Sequence, residues 1–77
     1  MKKGNLAIKR VLVRNIKRYR LKLGLTQEEA AEKADITAKY WQRLEMLSQI
    51  DLPSLPTLFK VAKVLKVPAW KLLQFKD

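Results

Sequence analysis

Apolar positions along this 77-residue chain recur at helical spacing. Leu12, Ile16, Tyr19 and Leu23 lie four, three and four residues apart, which puts them on one helix face and predicts a first helix over about 12–23. Gly24 follows as a stop signal, because glycine takes the left-handed conformation that ends a helix. Thr26 with Glu29 three residues on is a capping box, so a second helix is expected over about 27–34, with small inner residues Ala30, Ala31 and Ala34. Asp35-Ile36 makes a tight turn, Thr37 is a second N-cap, and a third helix reaches about residue 46 with Trp41 and Leu44 in phase. Pro53 ends a loop, and Ser54 caps a fourth helix that tolerates Pro56 in its first turn. Its expected buried stripe is Leu55, Leu58, Ala62 and Leu65. A short fifth helix is expected over about 69–75 after Val67-Pro68. Residues 1–10 lack a clear period and are expected to form a flexible basic arm, although Leu6, Ala7 and Ile8 would suit an extension of the first helix. Residues 11–77 then form a single all-α domain.

The chain has no cysteine and no histidine, which removes disulfides, zinc sites with thiolate or imidazole ligands, and a histidine base. Three of the seven acids, Glu28, Glu29 and Glu32, cluster where the second helix starts, and there they complement the helix dipole. A non-enzymatic protein with no metal and no cofactor is expected. No apolar run approaches a membrane span, and Lys9 and Arg10 break the stretch that a signal peptide would need, so a cytoplasmic protein is expected.

Charge adds a partner class. The net charge is +10, and residues 1–27 carry nine Lys or Arg and no acid, whereas the remainder nearly cancels. So one-sided a cation excess suits a polyanion.

Residues 27–46 meet the demands of a helix-turn-helix: two short helices, a small residue (Ala31) where they touch, a turn residue tolerant of positive φ (Asp35), and no proline in either helix. The stretch from Gly24 through Leu25-Thr26-Gln27-Glu28-Glu29-Ala30-Ala31-Glu32-Lys33 resembles the opening of the Cro/C1-type helix-turn-helix family, the xenobiotic-response-element-like regulators. The likeness continues through Ile36-Thr37, Tyr40, Arg43-Leu44-Glu45, Pro53-Ser54-Leu55, Thr57-Leu58 and Val61-Ala62-Lys63-Val64-Leu65. That resemblance implies a compact five-helix, lambda-repressor-like fold that binds a pseudo-palindromic operator in double-stranded DNA, usually as a homodimer. It implies that Gln27 touches backbone phosphate, with Tyr40 beside it, and that the third helix reads the major groove. Thr37, Ala38, Lys39, Gln42 and Arg43 are then the base-contacting candidates. Arg20 and Glu45 match a structural ion pair of some family members.

Three departures from the family pattern change the expectations. Asp35 stands where glycine is common. The loop 46–52 is apolar and acidic, with no Lys or Arg between Arg43 and Lys60, so it lacks the usual phosphate-holding bases. Lys9, Arg10, Arg14 and Lys17 are the expected substitutes, as part of a basic N-terminal third. At the C-terminus, Trp70, Leu72, Leu73 and Phe75 exceed what one face of a two-turn helix buries. Trp70, Leu72 and Phe75 are therefore dimer-seam candidates, with Trp70 as a lid on the core the other reading. A function from another class remains open as well: a protein-interaction module that keeps the fold and binds a partner through loop 46–52.

Overall fold

The computed structural model describes residues 3–49 and 51–75, which form α1 (Lys3–Lys22), α2 (Gln27–Ala34), α3 (Ala38–Leu44), α4 (Leu55–Leu65) and α5 (Ala69–Leu72). No strand occurs among these residues. At a rise of about 1.5 Å per residue, the 20-residue α1 is nearly as long as the 32 Å greatest extent of the molecule. It is the spine on which α3, α4 and α5 pack, while α2 packs on α3 and α4. Trp41, Ile16, Val61 and Leu72 are among the most deeply buried side chains, and the alanines of α2 close the core.

Residues 3–10 are helix rather than a flexible arm; Met1 and Lys2 lie outside the described residues. The inner stripe of α1 begins earlier than the apolar residues alone suggest, because Lys9, Leu12, Ile16 and Arg20 share a helical spacing and all four are buried. Lys9 is tolerated inside because its ammonium donates to Arg43 O (2.9 Å) and Asp51 O (3.3 Å). Leu23 lies beyond the last turn and is exposed, contrary to the expected stripe.

Three helices end the same way, in a Schellman turn. Across Gly24, Asp35 and Lys66 the next amide reaches back five residues, Leu25 to Arg20, Ile36 to Ala31 and Val67 to Ala62, at 3.0–3.2 Å. The geometry requires a left-handed residue, and Asp35 and Lys66 adopt φ of 59° and 60° without being glycine. Asp35 thus takes the turn conformation its place requires, whereas at Lys66 the residue type gives no such sign and only Pro68, two residues on, marks the stop.

The starts of α2, α3 and α4 carry the expected hydroxyl caps: Thr26, Thr37 and Ser54 accept from the amides of Glu29, Tyr40 and Thr57. In α4 the buried stripe is Leu58, Val61, Ala62 and Leu65. Leu55, expected inside, is 68% exposed, since it sits at the first helical position, outside the packed turns. α3 stops at Leu44 and α5 at Leu72, both shorter than their apolar residues suggest. At α5 the cause is polar. The Asn15 amide on α1 donates to Lys71 O, Leu72 O and Gln74 O (2.9–3.2 Å) and takes up carbonyls at the helix end.

Candidate nucleic-acid interface

α2 and α3 meet through small residues. Ala30, Ala31 and Ala34 are buried, so the two helices approach closely. Trp41 and Leu44 anchor the inner face of α3, and that choice of face leaves Lys39, Gln42 and Arg43 exposed on the other side. The other two base-contacting candidates have structural duties. Thr37 spends its hydroxyl as the cap of α3, with its methyl group still at the exposed helix start. Ala38 is half-buried and packs against the core, as Tyr40 does.

The rigidity of this unit comes from Glu45, the residue that ends α3. Its carboxylate accepts from Arg20 Nε (2.7 Å) and Nη2 (3.0 Å), Trp41 Nε1 (2.6 Å) and Gln27 Nε2 (3.1 Å). Arg20 also donates to Leu25 O (2.8 Å), so one guanidinium joins α1, the turn before α2 and the end of α3. Burial pushes the Glu45 carboxyl up. The hydrogen bonds from Arg20, Trp41 and Gln27, with the charge of Arg20, outweigh that and hold it below the ordinary carboxylate range. Gln27, expected at a phosphate, thus has its side-chain amide turned to Glu45. Its backbone still opens α2, beside the capping box in which Thr26 N donates to Glu29 Oε1 (2.9 Å).

The sequence pattern of the Helix-turn-helix family matches residues 16–69, which take in α2, α3, α4 and the last third of α1, where Arg20 lies. The chain belongs to the Cro/C1-type helix-turn-helix family. A crystal structure described as a hypothetical transcription factor, NHTF, from Neisseria is similar to it. The TM-score is 0.80 at 28% sequence identity, over 90% of this chain and 75% of that one. No match was found among curated proteins. Family and neighbour together make this a DNA-binding regulator, in a class that is generally non-enzymatic.

The placement of its cations corrects the expected phosphate contacts. In this helix-turn-helix protein Lys9 is 1% exposed and committed to two backbone carbonyls, so it is a structural pin and not a DNA ligand. Its ammonium is shifted toward the neutral form by burial, which Asp51 opposes and Arg43 reinforces. Arg14 is exposed, but its guanidinium donates to Gln74 O (3.2 Å) and Phe75 O (2.6 Å), holding the chain after α5. Arg10 and Lys17 are exposed. Arg43 is engaged as well, its Nη2 donating to Asp51 Oδ2 at 3.0 Å.

The C-terminal candidates separate cleanly. Leu72 has no exposed surface and belongs to the core, so it is not a seam residue; Trp70 and Phe75 are each 60% exposed, so Trp70 is no lid. Leu55, Phe59, Trp70 and Leu73 line an apolar groove between α4 and α5. No helix among the described residues is long and apolar enough to cross a membrane.

Asn15 and Asp51 were missed as working residues by pattern alone. Asn15 carried a signal: a neutral polar residue between Leu12 and Ile16, on the inner stripe. Asp51 carried none, because its partner lies on another element.

Proposed function

We propose that the protein is a cytoplasmic transcriptional repressor of prokaryotic or phage type that binds a pseudo-palindromic operator as a homodimer and reads the major groove with α3. The carrying observation is the division of α3 into a face locked by Trp41 and Leu44 and an acid-free outer face of Lys39, Gln42 and Arg43. Arg43 and Lys39 suit guanine O6 and N7, Gln42 suits adenine, and the Thr37 methyl group suits a thymine methyl. The phosphate grip falls to exposed cations on α1, Arg10 and Lys17 among them, and to the amides that open α2. The dimer seam is the α4–α5 groove, and exposed Phe75 is a further candidate for it.

Selection of bound sequences from a random duplex library tests this reading. Two related half-sites about 10–10.5 bp apart, centre to centre, are expected. A pool with no enriched motif refutes it. Arg10→Gln and Lys17→Gln should each lower the slope of log affinity against log salt by about 1, equally on all sequences.

One observation supports a second reading, a protein-interaction module. Met46, Leu47 and Leu52 are exposed in the loop after α3, where a phosphate-binding loop carries bases. A tight protein complex by a chain that enriches no DNA motif would favour it.

A further inference from the structure

The loop after α3 is tied down at both ends by one side chain. Lys9 Nζ, buried under it, donates to the carbonyl of Arg43 near the end of α3 and to the carbonyl of Asp51 near the end of the loop. This clamp holds the Asp51 backbone at a fixed distance from the outer face of α3. The Asp51 carboxylate then meets the Arg43 guanidinium, Nη2 to Oδ2 at 3.0 Å, with the two side chains 45% and 48% exposed. The pair lies at the surface and can exchange partners with water or ligand.

An arginine has five N–H donors in one plane. Asp51 takes one from Nη2 and biases the orientation of the plane, which leaves Nε, Nη1 and the second Nη2 hydrogen for another acceptor. Two parallel donors on a plane of set orientation match guanine O6 and N7. A phosphate can take the same fork, but it carries a full negative charge and is repelled by the neighbouring carboxylate, whereas a guanine edge is neutral. Residues 44–59 supply no Lys or Arg to offset that repulsion, and the nearby Lys9 ammonium is buried and committed to backbone carbonyls. The arrangement therefore penalises Arg43 contacts to phosphate and favours a contact to a base edge.

We propose that Asp51, held in place by the Lys9 clamp, is a positioning residue that turns Arg43 from a general phosphate contact into a guanine-reading side chain. The inference rests on α3 reading the major groove. Asp51 acts at one base position through one arginine, and its charge works against affinity while it serves selectivity.

The test uses the full chain and three probes: a duplex selected by the wild-type protein from a random library, versions of it with each base pair exchanged in turn, and an unrelated duplex of equal length. With Asp51→Asn, preference for guanine at one position per half-site should fall by about tenfold, the scale of a bidentate contact. Preferences at the other positions should stay, and binding to the unrelated duplex should tighten by about threefold. Arg43→Ala should erase the same position, and Asp51→Glu should retain most of the preference. Opposite movements of specific and nonspecific binding separate positioning from a structural role, because a loosened loop would weaken both and lower the melting temperature. An Asp51→Asn protein that keeps every base preference, or loses all of them uniformly, overturns the inference while leaving the operator reading intact. A wild-type protein that selects no motif overturns both.

Discussion

α1 and the α4–α5 pair break the ordinary rule of burial in opposite directions. On α1 the polar side chains Lys9, Asn15 and Arg20 are buried, and on α4 and α5 the large apolar side chains Leu55, Phe59, Trp70 and Leu73 are exposed. The buried polar groups are all satisfied: no buried side-chain nitrogen or oxygen among the described residues lacks a hydrogen-bond partner. Lys9 and Asn15 take up backbone carbonyls near the ends of α3 and α5, and Arg20 takes one in the turn before α2, so α1 organises the fold by capping as well as by packing. The exposed apolar groups satisfy nothing within the chain. A domain this small has little apolar surface to spare, and a contiguous exposed apolar patch marks a contact surface. Polar residues inside thus report on architecture, and apolar residues outside report on association.

The sharpest way to break this contrast is to orphan Arg20. Glu45→Ala removes the acceptor for three side chains and leaves a buried guanidinium without its charge partner. A loss of about 3–5 kcal/mol in urea unfolding is expected. The same group dictates the acid response. Its folded-state pKa is depressed, so its contribution is fully present above the unfolded value of about 4.3 and is lost as pH falls through the folded value. Glu29, depressed by its hydrogen bond from Thr26 N, adds in the same direction. Urea midpoints should therefore drop below about pH 4, and the drop should shrink in Glu45→Gln.

Asn15→Leu comes next. It strips the carbonyls of Lys71, Leu72 and Gln74 of one donor and should cost about 1–3 kcal/mol, with amide exchange in α5 rising more than in α2. Lys66→Gly works the other way: relief of the positive φ at the end of α4 should add about 1 kcal/mol, read as a higher melting temperature. Trp70→Ala should change monomer stability least, within about 0.5 kcal/mol. It should still shift the sedimentation coefficient toward the monomer if the groove is the seam. A large loss of stability with no change in assembly would erase the distinction between the two regions.

Legibility in the sequence followed the range of the interactions. α2 was readable to the residue because its signals are local: Thr26 and Glu29 cap each other three residues apart, and Asp35 ends the helix one residue after Ala34. The Arg20–Glu45 pair spans 25 residues and was reached through family likeness, not spacing. The start of α1 escapes local pattern because Lys9 and Arg10 look alike as letters. What buries one of them is a pair of carbonyls 34 and 42 residues away. The same holds at the C-terminus, where Leu72 and Trp70 look equally apolar, yet only Leu72 is buried in the core cluster with Leu12 and Ile16. Arg43 was placed on the outward face of α3, but its partner Asp51 sits in a loop whose path no local pattern dictates.

Methylation interference at guanine N7 on a selected duplex is the most direct test of major-groove reading by α3, since N7 is exposed in that groove alone. Two clusters of interfering guanines, one helical turn apart on one face of the duplex, are predicted. They should vanish in a Lys39→Ala, Gln42→Ala, Arg43→Ala triple variant that keeps its melting temperature. Full binding to N7-methylated duplex, or interference that survives the triple variant, would contradict the account.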